Sequence, residues 1–210
     1  MNIAAIRKEY KLKSLLETEV AVDAIDQFSI WWKDALDSNL DEVNAMTVAT
    51  ASKEGIPSAR IVLLKGFDEN GFVFFTNYNS SKGQDIAENK HACLLFFWKE
   101  LERQVRIVGT IEKLDDKAND EYFNNRPYGS QIGAWSSPQS QIIGNRQVLD
   151  SNVEKYEEKF GSTVPRPSHW GGYLLRHQSI EFWQGRTSRL HDRLLYTLEG
   201  NSWKIDRLAP

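Results

Sequence analysis

Residues 59–76 read ARIVLLKGFDENGFVFFT, and this stretch decides the fold class. Two runs rich in β-branched and aromatic residues, 59–67 and 72–76, flank Asp68 to Gly71, a turn sequence suited to a hairpin. The same composition recurs on both sides: 45–51 (AMTVATA) before it, 92–98 (ACLLFFW) and 103–114 (RQVRIVGTIEKL) after it, then runs near 172–176, 179–183, 193–198 and 203–208. Ala24, Ile25, Phe28, Trp31, Trp32, Ala35 and Leu36 recur at helical spacing, with Asp37 to Asn39 as a polar stop. Further helices are expected at 81–89, 115–125 and 145–160. Strands in runs, with helices inserted and not strictly alternating, point to an α+β fold around an antiparallel barrel and away from a doubly wound parallel sheet. Val73 to Phe75 and Leu94 to Trp98 are apolar on consecutive positions, so both faces of those strands need cover, and a second subunit is a natural one.

With 210 residues and 40% hydrophobic content, a single domain over 21–210 is expected, preceded by a charged, weakly patterned mobile arm over 1–20. The 26 basic and 29 acidic residues give a net charge of −3, which leaves no global positive field for nucleic acid or an anionic membrane surface. The lone Cys93 excludes an intrachain disulfide and reads as a small buried residue. The opening MNIAAIRKEYKLK lacks a signal peptide's apolar stretch and no run approaches bilayer-spanning length, so the cytoplasm is the expected compartment. No dinucleotide fingerprint or P-loop is present. His91, His169, His177 and His191 are scattered and Cys93 has no partner at ligand spacing, so no metal site is expected.

Four clusters of cationic, hydroxyl and amide residues fall at strand ends and in loops, where a rigid scaffold presents its binding groups. In RIVLLK, Arg60 and Lys65 close the two ends of an apolar strand; taken alone, the pattern is more commonly a core strand with solvated ends. In TNYNSSKG (76–83), serines precede a helix whose free amides, with Lys82, suit a phosphate or simply a cap. In YFNNRPYGSQIGAWSSPQS (122–140), Tyr122, Arg126 and Ser130 can converge on an anion, with Gln139 and Ser140 adding hydrogen-bonding groups; a polar, Pro-punctuated connector is the alternative. In EFWQGRTSRLHDR (181–193), Arg189 and Arg193 bracket His191, and Trp183 offers a flat surface for a ring; histidines among arginines are also common on plain surfaces.

Taken together, RIVLLK, FFTN, LERQVR, SQIGAW, QS, WGGY, EFWQG and RLHDR, in this order and spacing, resemble the pyridoxamine 5'-phosphate oxidase family from about residue 40 to the terminal WKIDRLAP, with a weaker match at IRKEY. The resemblance implies an FMN-binding split β-barrel with peripheral helices, assembled as a homodimer with FMN at the subunit interface. It implies FMN contacts from Arg60, Ile61, Val62, Leu63, Leu64, Lys65, Phe75, Thr76, Ser81, Lys82, Gln104, Gln139, Ser140, Trp183 and Arg193. It implies that Lys65, Tyr122, Arg126 and Ser130 hold the substrate phosphate, that Arg189, Leu190 and His191 lie against the substrate ring with Arg189 and His191 in catalytic roles, and that Arg7, Lys8, Glu9 and Tyr10 close over the site. The implied substrates are pyridoxamine 5'-phosphate, pyridoxine 5'-phosphate and oxygen, giving pyridoxal 5'-phosphate and hydrogen peroxide. Ser81 departs from the family pattern, which usually has an arginine there. The rival readings are a split-barrel NAD(P)H-dependent flavin reductase and a non-catalytic pyridoxal phosphate carrier.

Overall fold

The computed structural model describes residues 2–5 and 9–210. Its nine strands are β1 (Ala45–Ala51), β2 (Pro57–Leu63), β3 (Gly66–Asp68), β4 (Gly71–Asn77), β5 (His91–Trp98), β6 (Arg103–Lys113), β7 (Trp170–Gln184), β8 (Asp192–Glu199) and β9 (Ser202–Arg207). Five α-helices, α1 (Ala24–Asp37), α2 (Ser81–Glu88), α3 (Asp116–Asn124), α4 (Tyr128–Ser136) and α5 (Gln147–Phe160), are inserted among them. All pairings are antiparallel, in the order β2-β1-β5-β6-β7-β4-β3, with β8 on β7 and β9 on β8. The sheet curls into a half-barrel, the α+β split-barrel class expected. Among the described residues no helix is long and apolar enough to cross a membrane.

Helix α1 starts where the Asp23 carboxylate accepts the Ile25 and Asp26 amides, then lays Phe28, Trp31 and Ala35 into the barrel mouth. Phe28 meets Phe67, Phe72 and Phe96 at centroid distances of 4.7, 5.0 and 5.4 Å. A second apolar cluster of Phe123, Ile132, Val164 and Trp170 joins α3, α4 and α5 to the start of β7.

Several sequence readings need correction. The run 59–67 is two strands, because the chain turns at Leu64 and Lys65, whose amides bond to Asn44 O and Val73 O. The stretches 172–176 and 179–183 are one strand, β7; the polar residues between them mark a register shift at Val108/Gly109, not a turn. A Cβ on Gly109 would lie 1.9 Å from Arg176 O, so only glycine permits that approach. Residues 128–136 form helix α4, whereas the sequence, with Gly129, Gly133 and no capping side chain, reads as a connector. Cys93 is half-buried, on the outward side of β5. Residues 11–17 of the expected arm are tied to the barrel: the Lys11 and Leu12 amides donate to Glu102 Oε2, the Leu15 amide donates to Asp192 Oδ2, Leu15 is buried, and Glu17 pairs with Arg207.

The outward side of β2, β1 and β5 is apolar and uncovered within one chain. Ile61, Thr47, Leu95 and Arg106 lie in one cross-strand row, and Phe97 pairs with Gln104 on the same face. Ile61 is 65% and Phe97 53% exposed.

Candidate active site

A cavity of about 490 Å³ opens between β2, β4, α2 and the α3–α4 corner. Arg60, Ile61, Val62, Leu63, Lys65, Phe75, Thr76, Lys82, Tyr122, Arg126, Ser130 and Gln139 line it, together with Pro127 and Trp170, which the sequence reading does not single out.

At one end, Lys82 is buried and donates to Thr76 Oγ1 (3.1 Å), Ser80 Oγ (3.2 Å) and Gln139 Oε1 (2.9 Å). Burial, with Arg60 nearby, lowers its pKa to about 8. Ser80 caps α2 by accepting the Gly83 amide, and a Cβ on Gly83 would lie 2.0 Å from Tyr78 O. The first turn of α2 therefore presses against the end of β4, beside Arg60, whose guanidinium donates to Thr50 Oγ1 and Ser58 Oγ, each at 2.7 Å. Two cations, Arg60 from β2 and Lys82 from the first turn of α2, line one volume, as an anion needs.

At the other end stands an aromatic wall. Tyr122 stacks on Phe75 at 3.8 Å, and Trp170 continues the stack at 5.5 Å from Phe75. The Arg126 guanidinium lies 4.3 Å over the Trp170 ring. Its Nη1 is buried and has no hydrogen-bond partner among the described residues, which leaves a donor available to an acceptor in the cavity.

The remaining candidates gather elsewhere. Gln104, Trp183 and Arg193 lie side by side across β6, β7 and β8. Arg193 is held by Glu181 (2.8 Å) and Ala209 O (2.8 Å), and Arg106 pairs with the same carboxylate. Burial opposes ionisation of Glu181, but the two arginines keep its carboxyl below the usual range. His191 lies 4.6 Å from Trp183 and accepts the Arg186 amide at Nδ1, which leaves Nε2 as its donor when neutral. Burial and the Arg189 charge push the imidazole pKa down, favouring that neutral form. Ser188 and Arg189 sit at φ 56° and 61°, the left-handed region that costs side-chain-bearing residues energy and recurs at functional loops. Tyr10 packs edge-on against Trp183 at 5.8 Å and meets His191 at 6.0 Å. Leu190 is 70% exposed in this cluster.

These two groups do not meet within one chain. Thr76 and Phe75 pair with Gly171 and Gly172 at one end of β7, whereas Trp183 sits at the other, about 40 Å along an extended strand at about 3.3 Å per residue. Four residues stand outside both: the Leu64 side chain is in the core, Ser81 and Ser140 are exposed beside the cavity, and Glu9 is exposed. Arg7 and Lys8 lie outside the described residues. Asp85, Glu102 and Glu181, which orient other groups, carry no signal in the sequence beyond being acidic.

Residues 32–160 match the family model described as pyridoxamine 5'-phosphate oxidase, and residues 170–210 match the pyridoxine 5'-phosphate oxidase C-terminal dimerisation region. The chain belongs to the pyridoxamine 5'-phosphate oxidase family. It is 54% identical over 209 residues to a pyridoxine/pyridoxamine 5'-phosphate oxidase of Polynucleobacter asymbioticus, covering all of this chain and 99% of that one. It is 55% identical over 211 residues to one of Trichormus variabilis with the same coverage. Among solved structures it resembles PhzG of Burkholderia lata, in complex with tetrahydrophenazine-1-carboxylic acid, at TM-score 0.88 and 29% identity over 95% of this chain and all of that one. A pyridoxamine 5'-phosphate oxidase-related, FMN-binding protein of Nostoc punctiforme shares the fold at TM-score 0.70 and 16% identity, over 91% of this chain and all of that one. The family is one of oxidoreductases and its cofactor is FMN. The residues present fit that group: a buried lysine, an arginine and a close-packed helix start suit the phosphate, and the strand edge Ile61 to Leu63 borders the same cavity.

Proposed function

We propose that this oxidase converts pyridoxamine 5'-phosphate or pyridoxine 5'-phosphate to pyridoxal 5'-phosphate, with oxygen as final acceptor and hydrogen peroxide as product. The observation that carries this is the pairing, in one cavity, of a phosphate cradle at Arg60 and Lys82 with a separate cation, Arg126, whose buried Nη1 lacks an acceptor among the described residues. A phosphorylated cofactor and a phosphorylated substrate call for two such anchors. A flavin reductase or a phosphate-free substrate leaves the second without a purpose.

Bound FMN supplies a two-electron acceptor and its reoxidation by oxygen. The chain's residues bind and orient. Arg60 and Lys82 hold the cofactor phosphate; Lys65, Arg126, Tyr122 and Ser130 hold the substrate phosphate. Anchoring two rings by their phosphates fixes their approach, which is the larger part of what such a site contributes. Arg189 and neutral His191, with Nε2–H as donor, supply positive charge and a hydrogen bond to the substrate ring, and Tyr10 excludes water.

For those last residues to reach the cavity, a second copy must bring them. We infer a homodimer in which Gln104, Trp183, Arg189, His191 and Arg193 of one protomer complete the cavity of the other. Both groups border the uncovered face carrying Ile61, Leu95 and Phe97, which supports that face as the contact. Peroxide release tests the activity. The FMN-loaded protein should produce it with either phosphorylated substrate and poorly with unphosphorylated pyridoxine. Turnover driven by NADH alone, or by a tricyclic carboxylic acid in preference to both phosphates, would overturn the assignment.

A further inference from the structure

The cradle around Arg60 contains a carboxylate that binding an anion does not call for. Asp85, in the second turn of α2, accepts at Oδ2 from the Thr50 hydroxyl of β1 (2.6 Å) and the Ser58 hydroxyl of β2 (2.7 Å). The same two hydroxyl oxygens accept from Arg60, Thr50 Oγ1 from Nη1 and Ser58 Oγ from Nη2. Each hydroxyl has one proton, and because it goes to Asp85 a lone pair is left facing the guanidinium. Asp85 Oδ2 lies 3.9 Å from Arg60 Nη2, and both side chains are mostly buried. Burial opposes ionisation of Asp85, but the two hydroxyls and the Arg60 charge outweigh it and hold the carboxyl below its ordinary range. A negative charge this near a phosphate site weakens anion binding by simple Coulomb attraction and repulsion, so it needs a compensating role.

We propose that Asp85 is a positioning residue for the cofactor phosphate: through Thr50 and Ser58 it fixes the Arg60 guanidinium, and it ties the start of α2 to the β1–β2 edge, so that Arg60 and Lys82 face one phosphate. This rests on the reading of Arg60 and Lys82 as the FMN phosphate anchors. An unrestrained arginine samples many rotamers, and ordering it in advance removes that cost from binding. The same relay holds two elements together. Arg60 comes from β2 and Lys82 from α2, and Asp85 is the side chain of α2 that bonds to both β1 and β2.

The test is titration of the full-length apoprotein with FMN and, separately, with riboflavin, which has the same ring system but no phosphate, followed by flavin fluorescence. Asp85→Asn should weaken FMN binding about tenfold and leave riboflavin binding unchanged. Ser58→Ala, which removes one arm of the relay and leaves the carboxylate in place, should weaken FMN in the same selective way. It carries the test if Asp85→Asn does not fold. In an Arg60→Ala background, Asp85→Asn should weaken FMN binding by a smaller factor than in the parent, because the part of its effect that acts through Arg60 is already lost. Unchanged or tighter FMN binding in Asp85→Asn, with Arg60→Ala still weakening it, overturns the proposal and leaves the phosphate reading standing. Equal losses of FMN and riboflavin make Asp85 a general structural residue and also overturn it. If Arg60→Ala itself leaves FMN affinity intact, the phosphate reading fails and the proposal with it.

Discussion

Replacing Arg126 by alanine separates binding from folding in a way the structure allows to be worked out. The guanidinium stands 4.3 Å over Trp170 and 5.5 Å from Phe123. Losing that contact costs about 0.5–2 kcal/mol. Against this, Nη1 is buried and, among the described residues, unpartnered, and removing such a group returns about 1–3 kcal/mol. The two nearly cancel, so the melting temperature of Arg126→Ala should stay close to that of the parent. With a phosphate bound the balance differs, because the variant forfeits a charge-assisted hydrogen bond of about 1.5–3 kcal/mol, or about ten- to a hundredfold in kcat/KM for pyridoxine 5'-phosphate. Most of it should appear in KM, since the phosphate is held alike in ground and transition states. Steady-state peroxide assays on pyridoxine 5'-phosphate and on pyridoxine, beside a thermal melt, read all three quantities. An equal loss on pyridoxine, which has no phosphate to lose, would refute the placement of the pocket.

Lys82 should trade stability for affinity. Its pKa is about 8 in the folded protein against an ordinary 10.5, so between those values the unfolded chain binds the extra proton and stability rises with pH. Lys82→Met should therefore raise the melting temperature of the apoprotein at neutral pH while weakening FMN, and parent FMN affinity should fall as pH passes above about 8. His177 works in the opposite range. Burial, helped by Arg176 and opposed by Asp23 and Asp68, depresses its pKa from 6.5, and it stacks on Trp203 at 5.2 Å. Below pH 6.5 the unfolded chain takes up a proton that the folded one resists, so stability should fall with acidification; His177→Phe should flatten that slope in melts taken down to about pH 5. Ser81→Arg adds a cation at the exposed start of α2. It should cost the apoprotein about 0.3–1 kcal/mol against the helix dipole and tighten FMN in a titration. Unchanged affinity would mean the helix amides already satisfy the phosphate.

Legibility in the sequence followed periodicity. Strand β1 and helix α1 stand close to where alternation and helical spacing put them, because their faces are cleanly divided between core and surroundings. Helix α4 was hidden by Gly129 and Gly133, and by a start at Pro127 that uses no capping side chain. Its stability comes from Ile132 packing on Phe123 and Trp170, a tertiary contact that no local pattern encodes. Strand β7 reads as two runs because the polar His177 and Gln178 interrupt its apolar pattern. The candidate site was legible only by resemblance, since each cluster alone also reads as ordinary surface or core. Distance along β7 explains why: the residues proposed to work together are not neighbours in one chain.

That separation reaches beyond the single cavity. If each pocket takes its phosphate cradle from one protomer and its Trp183–His191 edge from the other, two chains disabled differently, one at Lys82 and one at Arg189, regenerate one intact pocket when they pair, beside one that carries both lesions. Mixed expression of the two should then recover activity that neither shows alone. Dilution past the dimer's dissociation point should abolish turnover at any substrate concentration. Two lesions in the same half of the pocket should not rescue one another, because the unit of function is then the pair.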